Sequence, residues 1–170
     1  MPFLKLWFYD PKGDKEGYLN HFVAKLDGPF CHCEVQFPDT AACTIYMGTK
    51  VVLKKRTFDP QVYTCVNVAC SSTQLQKARE FAEREFRAGV GFSTLAMSVA
   101  LLPLLSFPHN GTFCSKLCAD VLKAGDMVEA ELCTHKISPS ALFRTVSAVS
   151  SAKQTPVKST GVVTPIGFKC

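Results

Sequence analysis

The sequence lacks any apolar run long enough to cross a membrane. Its longest, Leu95 to Phe107, contains Pro103 and falls well short of the roughly 20 residues a spanning helix needs. That run reads as buried helix or pocket wall, with peripheral membrane contact left open. Nothing at the amino terminus reads as a signal peptide, because the brief apolar stretch in MPFLKLWFYDPKGDK has no small-residue cleavage site after it. The Cys-x2-Cys knuckle that zinc favours is also missing. Cys31-x-Cys33 and Cys114-x3-Cys118 therefore read as core thiols, and neither a metal nor a cofactor is expected. Positive charge is scarce outside the carboxyl terminus: the net charge is +5, and Lys153, Lys158 and Lys169 supply more than half of it. The body is near neutral, with no basic stripe interleaved with aromatics, which excludes nucleic acid as the expected partner. No internal repeat is present.

What is present fits one globular domain with a genuine core, in 170 residues of which 47% are hydrophobic and 19% charged. The nine cysteines would suggest a disulfide scaffold in a short secreted chain. Without a leader they read as reduced, mostly buried thiols of a cytoplasmic protein, and the odd count leaves at least one unpaired.

Along the chain, Phe3 to Tyr9 reads as a buried strand closed by Asp10-Pro11-Lys12-Gly13, and Tyr18 to Leu26 as a short helix. From Phe30 to Phe37 the residues alternate. Cys31, Cys33, Val35 and Phe37 take the core face, and Phe30, His32, Glu34 and Gln36 the other. Ala42 to Met47 and Lys50 to Thr57 read as strands around Gly48-Thr49, and Gln61 to Ala69 as another. Ser71-Ser72-Thr73-Gln74 has the form of a capping box, followed by a helical stripe of Leu75, Ala78, Ala82 and Phe86. Leu95 to Leu102 reads as a buried helix. Thr112 is the expected N-cap of a helix from Phe113 to about Ala124, striped by Cys114, Leu117, Cys118, Val121 and Leu122. A last helix is expected over Ala141 to Val146, then a flexible Ser/Thr/Pro/Lys-rich tail over 148–170.

A reactive cysteine needs a stabilised thiolate, and the first turn of a helix offers exposed N–H groups and the positive dipole end. Cys114 occupies that position. A strand holds an imidazole firmly, so His32 is the candidate base, with Glu34 two residues on and on the same face to orient it. Cys118, one turn further, reads as a buried thiol. His109 reads as an exposed loop histidine, and Gly111 as turn geometry before the nucleophile. Cys170 lacks the Cys-a-a-X order of a prenylation signal and reads as an exposed thiol.

Three segments carry a resemblance. Leu26-Asp27-Gly28-Pro29-Phe30-Cys31-His32-Cys33-Glu34-Val35 is similar to the His-x-Glu strand of permuted NlpC/P60 papain-like proteins, and Phe113-Cys114-Ser115 to their aromatic-Cys-Ser motif. Ile137-Ser138-Pro139-Ser140-Ala141-Leu142 resembles their Ser-Pro-x-x-Leu segment. The order, histidine strand before cysteine helix, is the reverse of ordinary papain-like enzymes. The resemblance covers roughly residues 3 to 146 and is close to the bacterial, phage and large-virus branch, which includes a poxvirus member. It implies an α+β, circularly permuted papain-like fold over 1–147, a small antiparallel sheet packed against helices. It also implies a cysteine-dependent hydrolase or acyltransferase acting on an amide, ester or thioester, with Cys114 as nucleophile, His32 as base and Glu34 at the family's acidic position. The partner is then a small-molecule, lipid or peptide acyl substrate, met in the cytoplasm, or in the host cytoplasm for a viral protein. The alternative is a non-catalytic interaction protein, such as a viral host-binding factor, on the same fold. The chain departs from the family at Lys116, where an acid is common, and at Phe92, where a tyrosine commonly follows the long helix.

Overall fold

A computed structural model of the chain describes residues 1–13, 18–101 and 111–154. His109, Asn110, the second half of the apolar run and the tail from 155 lie outside the described residues. Those described form an α+β structure, with one antiparallel sheet of strands β1 (Phe3–Tyr9), β2 (His32–Gln36), β3 (Ala41–Thr44), β4 (Val52–Lys55) and β5 (Tyr63–Ala69). The spatial order is β4-β3-β2-β1-β5, so β2 is the central strand. The helices are α1 (Tyr18–Asp27), α2 (Ser72–Ala88), α3 (Thr94–Leu101), α4 (Cys114–Ala124) and α5 (Pro139–Gln154). No helix among the described residues is long and apolar enough to cross a membrane.

The apolar stretch of β1 divides by alternation. Leu4, Leu6 and Phe8 are fully buried against the helices, while Trp7 faces the other way and stacks on Phe58. Cys33 and Val35 of β2 extend the same core, which α4 closes with Leu117, Cys118, Val121 and Leu122 and α5 with Leu142 and Val146. Burial of this stripe is the main force seating α4 on the sheet. Helix α2 starts at the expected capping box: Ser71 Oγ accepts from Gln74 N and Gln74 Oε1 from Ser71 N. It ends at Gly89, whose φ of 63° suits a residue without a side chain.

Six expectations are corrected. Phe30 precedes β2 instead of sharing the His32 face, and it packs in the core against Phe8 and Phe143. The β3–β4 hairpin is not closed at Gly48-Thr49 alone; pairing ends at Thr44 and Val52, and the intervening turn is held by Thr49 Oγ1 donating to Tyr46 O. On α2 it is Phe81, not Phe86, that packs toward the core, and Phe86 is about half exposed. Thr112 is not the N-cap of α4. It is buried in a bridge to Phe92, and Phe113 is the N-cap, with no side-chain cap bond. Gly111 permits close packing where a turn was expected, because a Cβ there would sit 2.3 Å from Ser93 Cβ. Finally, α5 runs to Gln154, so the expected boundary at 147 falls inside a helix.

Candidate active site

Cys114 is the first residue of α4, and its first-turn amides meet no capping side chain. Two buried hydrogen bonds fix this end of the helix. Ser115 Oγ donates to Ile137 O at 2.7 Å, and Ser140 Oγ accepts from Phe30 N at 3.2 Å. The Ile137 to Ser140 segment thus ties the nucleophile helix to the entry of the histidine strand. Gly28, at φ 125°, belongs to the same clasp, since a Cβ there would lie 3.0 Å from Ser140 Oγ.

Cys33 and His32 are the groups that act on the Cys114 thiol. Cys33 and the imidazolium charge outweigh burial and hold the Cys114 thiol well below its ordinary range. Burial alone would lower the His32 pKa, but the Cys114 thiolate beside it, together with Glu34, pushes it up to about 10. The ordinary values are 9.0 and 6.5, so both shifts favour the thiolate–imidazolium form of the pair. Burial and the neighbouring thiols push Cys33 upward, so it stays protonated.

His32 is held from its other side. Its Nε2 is 3.4 Å from Glu34 Oε1 and 3.1 Å from Thr44 Oγ1, and Tyr46 stacks on the ring with centroids 5.0 Å apart. Glu34 is fully buried and pairs with Arg56 Nη1 at 2.7 Å, while the Tyr46 hydroxyl donates to its Oε1 at 3.1 Å. Arg56 also donates to the Tyr46 hydroxyl and to Tyr63 Oη. Burial, then the Glu34 charge, raises the Tyr46 pKa and keeps the hydroxyl protonated. The second oxygen, Glu34 Oε2, is buried without a hydrogen-bond partner.

The structure puts His32 and Glu34 in direct contact, and Cys114 and His32 shift one another's pKa. Sequence reasoning missed Cys33, Thr44, Tyr46, Arg56 and Tyr63. Alternation put Cys33 on the face opposite His32, in the core cluster that includes Cys114. Phe92 contributes no hydroxyl, but Tyr46, from just past β3, brings one. Lys116 is neutralised by Asp120 four residues on, with Nζ to Oδ2 at 2.7 Å. Cys118 is buried in the core cluster. Seven cysteines, Cys31, Cys33, Cys43, Cys65, Cys70, Cys114 and Cys118, are free thiols, and all but Cys65 are buried. Among the described residues no three His, Cys, Asp or Glu side chains are grouped to hold a metal ion. Compared with protein-family models, curated proteins and solved structures, the chain finds no match.

Proposed function

We propose that the chain is a cysteine-dependent hydrolase or acyltransferase on a circularly permuted papain-like (NlpC/P60) fold. The observation that carries the reading is the buried Cys114–His32 pair at the uncapped start of α4. The thiolate attacks the carbonyl carbon of an amide, ester or thioester, and the N–H groups at the helix start stabilise the oxyanion as it forms. His32, already protonated, gives its proton to the leaving group. It then takes one from the water or acceptor that resolves the acyl-enzyme, restoring the pair. Glu34, held by Arg56 and Tyr46, fixes the imidazole through its Nε2 side.

Apolar α3 begins beside the nucleophile segment, where Ser93 N donates to Thr112 O at 2.8 Å, and Leu95 on it is exposed. An apolar acyl group is accordingly the substrate favoured here. The test is acylation by p-nitrophenyl esters of increasing chain length, with the acyl group mapped by mass spectrometry. Modification is expected at Cys114, and His32→Ala is expected to lower the rate by about 10²–10⁴. Equal acylation in that variant would sink the dyad.

The interaction-protein reading is favoured by one observation, that Cys114 is only 6% exposed. It predicts no ester turnover and full partner binding after Cys114→Ser.

A further inference from the structure

We propose that the surface cleft at the end of β4, walled by Lys54, Lys55, Arg56, Thr40 and Thr57, is a binding site for a phosphate group. The proposal does not rest on the acyl chemistry above.

The cleft offers about 510 Å³, room for a phosphate and the group that carries it. Among the described residues, three of its five walls are cations and none is an acid. The Arg56 charge is already answered: Nη1 meets Glu34 Oε1 at 2.7 Å, and Nη2 donates to Tyr63 Oη at 3.0 Å. Lys54 and Lys55 differ. Both are exposed, and among the described residues neither has an ion-pair or hydrogen-bond partner. The nearby carboxylates are committed elsewhere, Asp39 to Arg79 at 3.1 Å and Asp59 to the main-chain N–H of Gln61 at 2.9 Å. The cleft therefore holds two uncompensated positive charges, flanked by the hydroxyls of Thr40 and Thr57, which no described protein group engages. A phosphate monoester carries close to two negative charges at neutral pH, and its three terminal oxygens accept from both kinds of donor. A carboxylate would match one charge and leave the second lysine unanswered.

The backbone is shaped to the same end. Lysines commonly guard the edge of a sheet, and β4 is an edge strand. A guard needs charge facing water and nothing more. Here one wall is Thr40, a β-branched residue at φ 65°, a strained conformation of the kind that clusters at ligand clamps. Its carbonyl accepts from Arg56 N at 3.1 Å, which ties the turn after β2 to the end of β4 across the cleft. Because Arg56 also pairs with Glu34, a phosphate bound here adjoins the network that contacts His32.

The test titrates the full chain with inorganic phosphate by isothermal calorimetry, with ionic strength held constant by sodium chloride. Saturable binding at one site is expected. It should weaken tenfold or more in the double variant Lys54→Gln/Lys55→Gln and stay unchanged in Lys25→Gln, an exposed lysine of α1. Circular dichroism checks that each variant folds. Sedimentation with phosphatidylcholine vesicles containing phosphatidic acid then identifies the source of the phosphate. Sedimentation that the double variant loses marks a lipid headgroup; any other result beside phosphate binding marks a soluble phosphate ester. No saturable phosphate binding, equal binding by the double variant, or equal weakening in Lys25→Gln overturns the proposal.

Discussion

Glu34 is a carboxylate buried from water, and its surroundings explain how that burial is borne. Its side chain is fully buried, and the charge that offsets it comes from Arg56, itself 27% exposed. Removing one partner of a buried pair typically costs 3–5 kcal/mol, because the other charge is left uncompensated. The partial exposure of Arg56 lets water recover some of this, so Arg56→Met is expected to destabilise by about 2 kcal/mol. Adding Glu34→Gln should restore part of the loss, since the amide needs no counter-charge. Urea unfolding of the two single variants and the double variant measures the coupling; strict additivity would show that the ion pair does not hold the base. None of this was legible locally. Glu34 and His32 were placed together by alternation, but Arg56, Tyr46 and Thr44 reach them across the sheet, from strands and turns with no sequence signal of their role.

At the level of elements, the start of α4 depends on the segment after it more than on its own cap. Ser115 is fully buried and donates to Ile137 O. Ser115→Ala leaves that carbonyl without its donor, and a cost of about 1–2 kcal/mol is expected. Because the bond fixes where Cys114 sits, thiol reactivity at neutral pH should fall with it, whereas Ser98→Ala, on the exposed side of α3, should change neither quantity; thermal unfolding and iodoacetamide kinetics on both variants check this. Where periodicity and capping agreed, as in β1, α2 and the α4 stripe, the sequence placed the elements closely. It missed where two segments decide an outcome together. Thr112 looked like a cap but is drawn into the bridge with Phe92. The Ser- and Ala-rich end of α5 carries no apolar stripe of its own, yet Ser150 Oγ donates to Asn67 O of β5.

Across the whole molecule, the thiolate–imidazolium pair links stability to pH. His32, raised from 6.5 to about 10, contributes stability present below 6.5 and lost as pH climbs through about 10. Cys114, held well below 9.0, contributes stability present above 9.0 and lost as pH falls toward its folded value. Between 6.5 and 9.0 the folded pair and the unfolded chain each carry one proton on these two groups, so their contribution is flat there and declines on both sides. Melting temperatures from pH 5 to 10.5 are expected to trace that plateau. In Cys114→Ser the decline above about 9 should become shallower; an unchanged curve would mean the pair is not charged.

The place of β2 at the middle of the sheet has one more consequence. β1 pairs along the whole of β2, whereas β3 pairs with it only at Val35 and Gln36, so backbone at that end meets solvent deuterium only when the sheet itself comes apart. The base sits at the other end, on the stretch that β1 alone holds. Deuterium exchange is therefore expected to reach His32 before Gln36, and any room a substrate needs is gained first at the imidazole's end of the strand.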